Sequence, residues 1–299
     1  MRIAVTGSTG LIGSALVRSL LDDGHQVVRL VRREPAERPD GSTEVRWNPR
    51  LRQIDRKRLD GLDAVVNLAG AGVADRYWTA AYKREIHDSR VLGTQTLATA
   101  LAGQQHPPKV LVSGSAVGYY GQTGSAVIDE SAPNGSDFLA RVCLEWEQAT
   151  APAAEAGIRV AHARTGLVVS AAGGAWGRLF PLFRLGLGGR LGSGRQFWPF
   201  ISLRDEVAAL RHLIDTDSLS GPVNLTAPVP VTNAEVTAAM GEVLGRPTVF
   251  AVPEVALKAV LGEMAVEVVG SHRVVPGQLL DSGFEFSHPT IEQALRAAR

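Results

Sequence analysis

The chain has 299 residues, 45% hydrophobic and 20% charged, with a formal net charge of +1. That is enough for one large domain or a domain with a smaller lobe, and the near-neutral balance argues against a nucleic-acid or acidic-membrane partner. Its single cysteine, Cys143, excludes an internal disulfide, no side-chain spacing predicts a metal site, and no apolar run approaches the ~20 residues of a membrane span.

Met1-Arg2 leads straight into an apolar run with no signal peptide before it, so a cytoplasmic location is expected. Residues 2–6 form the first predicted strand. Gly7-Ser8-Thr9-Gly10-Leu11-Ile12-Gly13 follows, and then a helix predicted over 12–23 with Leu16, Val17, Leu20 and Leu21 as its apolar positions. Strand, glycine turn and helix start in this order form a cradle for the pyrophosphate of a dinucleotide. Gly7 permits a sharp turn at positive φ. Gly10 lets backbone approach the phosphates, and Gly13 lets the helix pack closely with its amides aimed at the anion. Gly7, Thr9, Gly10, Leu11, Ile12 and Gly13 are therefore candidate cofactor contacts.

Further strands are predicted at Val27–Val31, Ala64–Leu68, Val110–Ser113 and Val160–Arg164, with amphipathic helices over 79–102 and 137–156. This alternation predicts an α/β fold, a Rossmann-type doubly wound parallel sheet. From about residue 166 the pattern changes to glycine clusters interleaved with Trp176, Phe180, Phe183, Phe197, Trp198 and Phe200. A nucleotide-binding domain over 1–165 and a smaller C-terminal substrate lobe over 166–299 are expected, with 200–227 returning to the first domain. Two helices are predicted within the lobe, at 233–245 and 253–268.

NAD-binding versions of the fold place a carboxylate about 20 residues past the glycines. Here that place holds Val31-Arg32-Arg33. A guanidinium can fork two hydrogen bonds onto a 2′-phosphate that a carboxylate would repel. NADP(H) is the cofactor expected, with Arg32 as clamp before Arg33. Leu68, Ala69 and Gly70, ending the Ala64–Leu68 strand, are the expected backbone floor under the adenosine half.

Thr6–Gly13, Asn67–Gly70 and Val112-Ser113-Gly114-Ser115-Ala116-Val117-Gly118-Tyr119-Tyr120-Gly121 together resemble the extended short-chain dehydrogenase/reductases. Leu261-Gly262-Glu263-Met264 and Ser271-His272-Arg273-Val274-Val275-Pro276 resemble an atypical subgroup within them. These are NAD(P)-dependent epimerase/dehydratase-like proteins with a dedicated C-terminal domain, sometimes called cell-division-inhibitor-like. The resemblance covers essentially the whole chain. It implies a catalytic serine, matched by Ser115, and a tyrosine with a lysine four residues later. Aligning Glu147 with the glutamate that usually follows that motif puts Leu139 and Cys143 in those two places, and neither can do the work. Tyr119, Tyr120 or water is the expected proton donor, Tyr120 also having a packing role open to it. Arg90, where the superfamily commonly has asparagine, could hold pyrophosphate or ribose, and Glu85 could bond a ribose hydroxyl or pair with Arg90. The resemblance also assigns Arg164 and Val168 to the cofactor.

The expected protein is an NADP(H)-binding atypical reductase or epimerase acting on an unknown carbonyl compound or nucleotide-linked sugar, as a monomer or homodimer. The alternative is a non-catalytic NADP(H) sensor or scaffold.

Overall fold

The computed structural model describes residues 1–299. Eight strands form one sheet: β1 (Arg2–Thr6), β2 (Gln26–Val31), β3 (Thr43–Asn48), β4 (Gln53–Ile54), β5 (Ala64–Asn67), β6 (Val110–Ala116), β7 (Arg159–Thr165) and β8 (Gly221–Leu225). Their order is β8-β7-β6-β5-β1-β2-β3-β4, and every pairing is parallel except that of β3 with β4. The order reverses beside β1, which opens the crevice beyond the carboxyl ends of β1 and β5 where such folds take ligands.

Side chains alternate across the sheet with the period of two that extended backbone imposes. Ile3 and Val5 of β1 join a core with Leu16, Val17 and Leu20 of the first helix (Leu11–Asp22) and Leu210 and Leu213 of the helix Leu203–Asp215. Ala4 faces the opposite core with Leu30, Trp47, Leu97 and Leu101, the last two from the long helix Ala80–Ala102. The segment from Phe200 onward contributes to the first core, and β8 closes the sheet edge beside β7.

Beyond the sheet, Trp176, Phe180, Phe183, Trp198, Phe200, Met240 and Leu295 build a third, aromatic core. The glycine–aromatic stretch thus packs as a core, partly on the helix Gly174–Arg184. The helix expected over 137–156 is two pieces, Phe138–Gln148 and Ala151–Glu155. Pro152 stands in the first turn of the second piece, where its missing N–H costs no helix bond. The helix expected over 253–268 also divides: Glu254–Leu261 ends at Gly262, with φ of +59°, before a short helix Ala265–Val269.

Candidate functional site

Gly7 sits at φ +64°, where an L side chain is strained, and a β-carbon there would lie 2.7 Å from the carbonyl of Leu68. A β-carbon at Gly13 would stand 2.2 Å from the Gly7 carbonyl oxygen, so Gly13 is needed to pack the helix against its own turn. Gly10 donates its N–H to Gly7, and the first intrahelical bond runs from Ser14 to Gly10. Gly10 is the helix N-cap and supplies no side-chain bond, which leaves the amides of Leu11, Ile12 and Gly13 with no helical acceptor. This is an anion site built from backbone. Thr6 braces the floor beneath it, donating to Asn67 Oδ1 (2.7 Å) and accepting from the amides of Leu68 and Ala69 (both 3.0 Å).

A cavity of about 540 Å³ opens from this turn, lined by Gly7–Gly10, Val31–Arg33, Trp47–Arg50, Leu68–Ala71, Glu85, Asp88 and Ser89. Arg33 is committed elsewhere: it forks onto Glu44 at 2.6 and 2.7 Å, and that carboxylate lies below its usual range chiefly through this bond. Arg32 makes no hydrogen bond or ion pair within the chain and stands on the cavity wall with its charge uncompensated. Glu85 lines the cavity too, but it pairs with Arg50 and not with Arg90. Trp47 comes from the strand Thr43–Asn48 and Arg50 from the turn after it, neither among the predicted elements. The alternation of apolar Val45 and Trp47 with polar Glu44 and Arg46 is the strand's sequence signal.

The other half of the crevice is arranged differently. Ser115, Arg164 and Asn224 are neighbours across β6, β7 and β8 by strand register. Glu147, from the helix Phe138–Gln148, accepts from Ser115 Oγ (2.7 Å) and, bidentately, from Arg164 Nε (2.8 Å) and a terminal nitrogen (2.9 Å). The second terminal nitrogen of Arg164 donates to Tyr120 Oη (2.9 Å), which in turn donates to Asn224 Oδ1 (2.6 Å). Burial alone would lower the pKa of Arg164, but the bonds and charge of Glu147 outweigh it and raise it. Burial pushes the Tyr120 phenol up to about 12.

These contacts correct two assignments. Arg164, 3% exposed, has all three nitrogens occupied and is a structural cation rather than a cofactor contact. Tyr120, 4% exposed and bonded on both sides, is a packing and network residue. Tyr119 is half-buried, with the Arg164 guanidinium 3.5 Å from its ring centroid, and remains accessible beside the network. Val168 packs onto the first core from the short strand Leu167–Val169.

Leu139 and Cys143 are both buried on the helix face that meets Val117–Tyr120. Burial drives the thiol up to about 12, so it is no substitute for a lysine. The nearby cation is Arg90, which partly counters that rise. Arg90 donates to the carbonyls of Ala71 (2.9 Å) and Ile86 (3.0 Å), lies over the Trp146 ring at 5.1 Å, abuts Gly70 and pairs with no carboxylate. Trp146 is itself buried against Thr94. No group of three or more potential metal ligands is present, and no helix is long and apolar enough to cross a membrane.

The chain matches the NAD dependent epimerase/dehydratase family over residues 3–225 and a domain of unknown function, DUF1731, over 252–298. An epimerase family protein of Mycobacterium bovis is 49% identical over 294 residues, covering 98% of this chain and 96% of that protein. Epimerase family protein SDR39U1 of Bos taurus is 38% identical over 301 residues, covering 99% of each. The crystal structure of the human epimerase family protein SDR39U1 (isoform 2) with NADPH superposes at a TM-score of 0.91 and 34% identity. It covers 100% of this chain and 99% of that one.

Proposed function

The chain belongs to the NAD dependent epimerase/dehydratase family, and from that premise we propose that it binds NADP(H) and reduces a carbonyl compound or nucleotide-linked sugar. The observation that carries this reading is the uncompensated Arg32 on the same cavity wall as the glycine turn and the uncapped helix start. The NADPH in the human relative's structure supports the phosphorylated cofactor. Leu11, Ile12 and Gly13 would hold the pyrophosphate through their amides, and Arg32 the 2′-phosphate. Arg90, beside Cys143, would bring positive charge to the place where lysine is missing. When bound, NADPH would supply a hydride at its nicotinamide ring.

Ser115 gives its one proton to Glu147, so it presents lone pairs to a substrate hydroxyl. To donate to a carbonyl it must exchange that partner. Glu147 and Arg164 act as positioning residues, fixing the Ser115 rotamer through a buried ion pair. The expected substrate is a small molecule, taken in the cytoplasm, with no nucleic acid or membrane partner.

The test is oxidation of NADPH across a panel of carbonyl compounds and nucleotide-linked sugars. Turnover of at least one, lost in Ser115→Ala, is expected. A second reading, NADP(H) sensing without turnover, is favoured by Leu139 and Cys143 in the acid–base places. Tight binding with no turnover across the panel would select it.

A further inference from the structure

A second cavity, of about 440 Å³, shares no lining residue with the one at the glycine turn. It forms where a two-stranded parallel sheet ends. Strand Leu167–Val169 pairs with Phe200–Ser202, with Val169 opposite Ser202, so both chains leave the sheet at the same end. One runs through residues 170–173 into the helix Gly174–Arg184, and the other starts the helix Leu203–Asp215. The helix Ile291–Ala297 contributes Ala294 and Ala297 to the wall.

The charge on this wall has one sign. Arg184, Arg204 and Arg299 line the cavity, and no aspartate or glutamate side chain does. None of the three makes a hydrogen bond or an ion pair within the chain, and Arg184 lies only near the Phe180 ring, 5.6 Å from its centroid. The terminal carboxylate of Arg299 offsets that residue's own charge, so Arg184 and Arg204 carry the excess. Asp205, next in sequence to Arg204, is 1% exposed and accepts from the amides of Ser287 (2.8 Å) and His288 (2.9 Å). Ser170, 6% exposed, accepts from the Ala172 amide (3.2 Å), and its hydroxyl proton has no acceptor within the chain. Much of the remaining wall is apolar, including Val169 and Leu203.

We propose that this cavity is a second ligand site, which takes a phosphate monoester carried on a compact apolar body. Such an ester is close to dianionic at neutral pH and offers three acceptor oxygens. Arg184 and Arg204 supply two positive charges and Ser170 a third donor, so every oxygen finds a partner. A carboxylate, with one charge and two oxygens, would leave part of that set unmatched. The cavity volume falls within the range of about 300–1,000 Å³ typical of small-molecule sites. A phosphate alone would leave the apolar wall bare, and an apolar body attached to it covers that surface. The site stands apart from the NADP(H) reading.

The test is calorimetric titration of the full chain with phenyl phosphate, with inorganic phosphate as the headgroup control. One phenyl phosphate per chain is expected, bound at least about threefold more tightly than inorganic phosphate. Arg184→Gln and Arg204→Gln change exposed residues, and each should weaken binding about tenfold or more. Arg32→Ala, in the other cavity, should change it by less than about threefold. Loss of binding in Arg32→Ala with no effect of Arg204→Gln would put the probe at the glycine turn and overturn the proposal. Failure to saturate by about 10 mM would overturn it as well. Equal affinities for the two probes would refute an organic ligand.

Discussion

The two halves of the crevice use the same sheet in opposite ways. At the carboxyl end of β1, recognition is built from backbone: a glycine at φ +64°, an uncapped helix start and one unpaired guanidinium, Arg32. At the ends of β6, β7 and β8 the backbone is regular and the side chains are already bonded to one another, from Ser115 through Glu147 and Arg164 to Tyr120 and Asn224. The first half is poised for an anion that the chain itself does not supply. The second is internally satisfied, so any chemistry there must come from groups outside that network or by displacing one of its bonds. A family's binding half can therefore persist while its reaction half is rebuilt, because the two draw on different physical resources.

The sharpest way to break this contrast is Glu147→Ala. It strands the buried Arg164 charge, a change that typically costs about 3–5 kcal/mol, so a large drop in the denaturation midpoint is expected. A loss below about 1 kcal/mol would show the reaction half to be looser than described. Next comes Arg32→Ala. A charge-assisted bond contributes about 1.5–3 kcal/mol, so NADPH affinity should fall roughly 10- to 100-fold. Arg33→Ala, already engaged by Glu44, should change it by less than about threefold, and equal effects of the two variants would refute the distinction. Gly13→Ala forces a β-carbon against the Gly7 carbonyl at 2.2 Å. Overpacking of this kind costs about 1–3 kcal/mol, and the loss should appear in both thermal unfolding and nucleotide titration.

A further prediction concerns pH. Glu206 is fully buried behind Thr165, at the end of β7, and burial pushes its carboxyl up to about 8 despite the Thr165 hydroxyl donating to it. The unfolded chain ionises this group near the usual carboxylate range, so between there and about pH 8 the folded state holds more protons than the unfolded one. Stability must then fall as pH rises through that window. Thermal scans from pH 5 to 8 should show that slope, flattened in Glu206→Gln, and an unchanged slope in the variant would contradict a protonated Glu206.

What the sequence disclosed follows the same division. The glycine turn was legible because each glycine answers a local backbone demand, and Arg32 because its distance from that turn is set by one βαβ unit. The parallel α/β sheet followed from the alternation of apolar runs and helices. The network at Glu147 was not legible: Ser115, Arg164 and Asn224 become neighbours only through strand register, across separations that no local pattern encodes. Arg164 therefore read as a cofactor ligand when its guanidinium is consumed by Glu147. Glu85 pairs with Arg50, in the turn after the strand Thr43–Asn48, rather than with Arg90, its nearest candidate in sequence.

Calorimetric titration of the purified chain with NADPH and NADH under identical salt tests the division most directly. The account requires NADPH to bind at least about tenfold more tightly, the margin expected of one guanidinium on a 2′-phosphate. Equal affinities would mean that Arg32 contributes nothing to recognition and would contradict the assignment of the cavity.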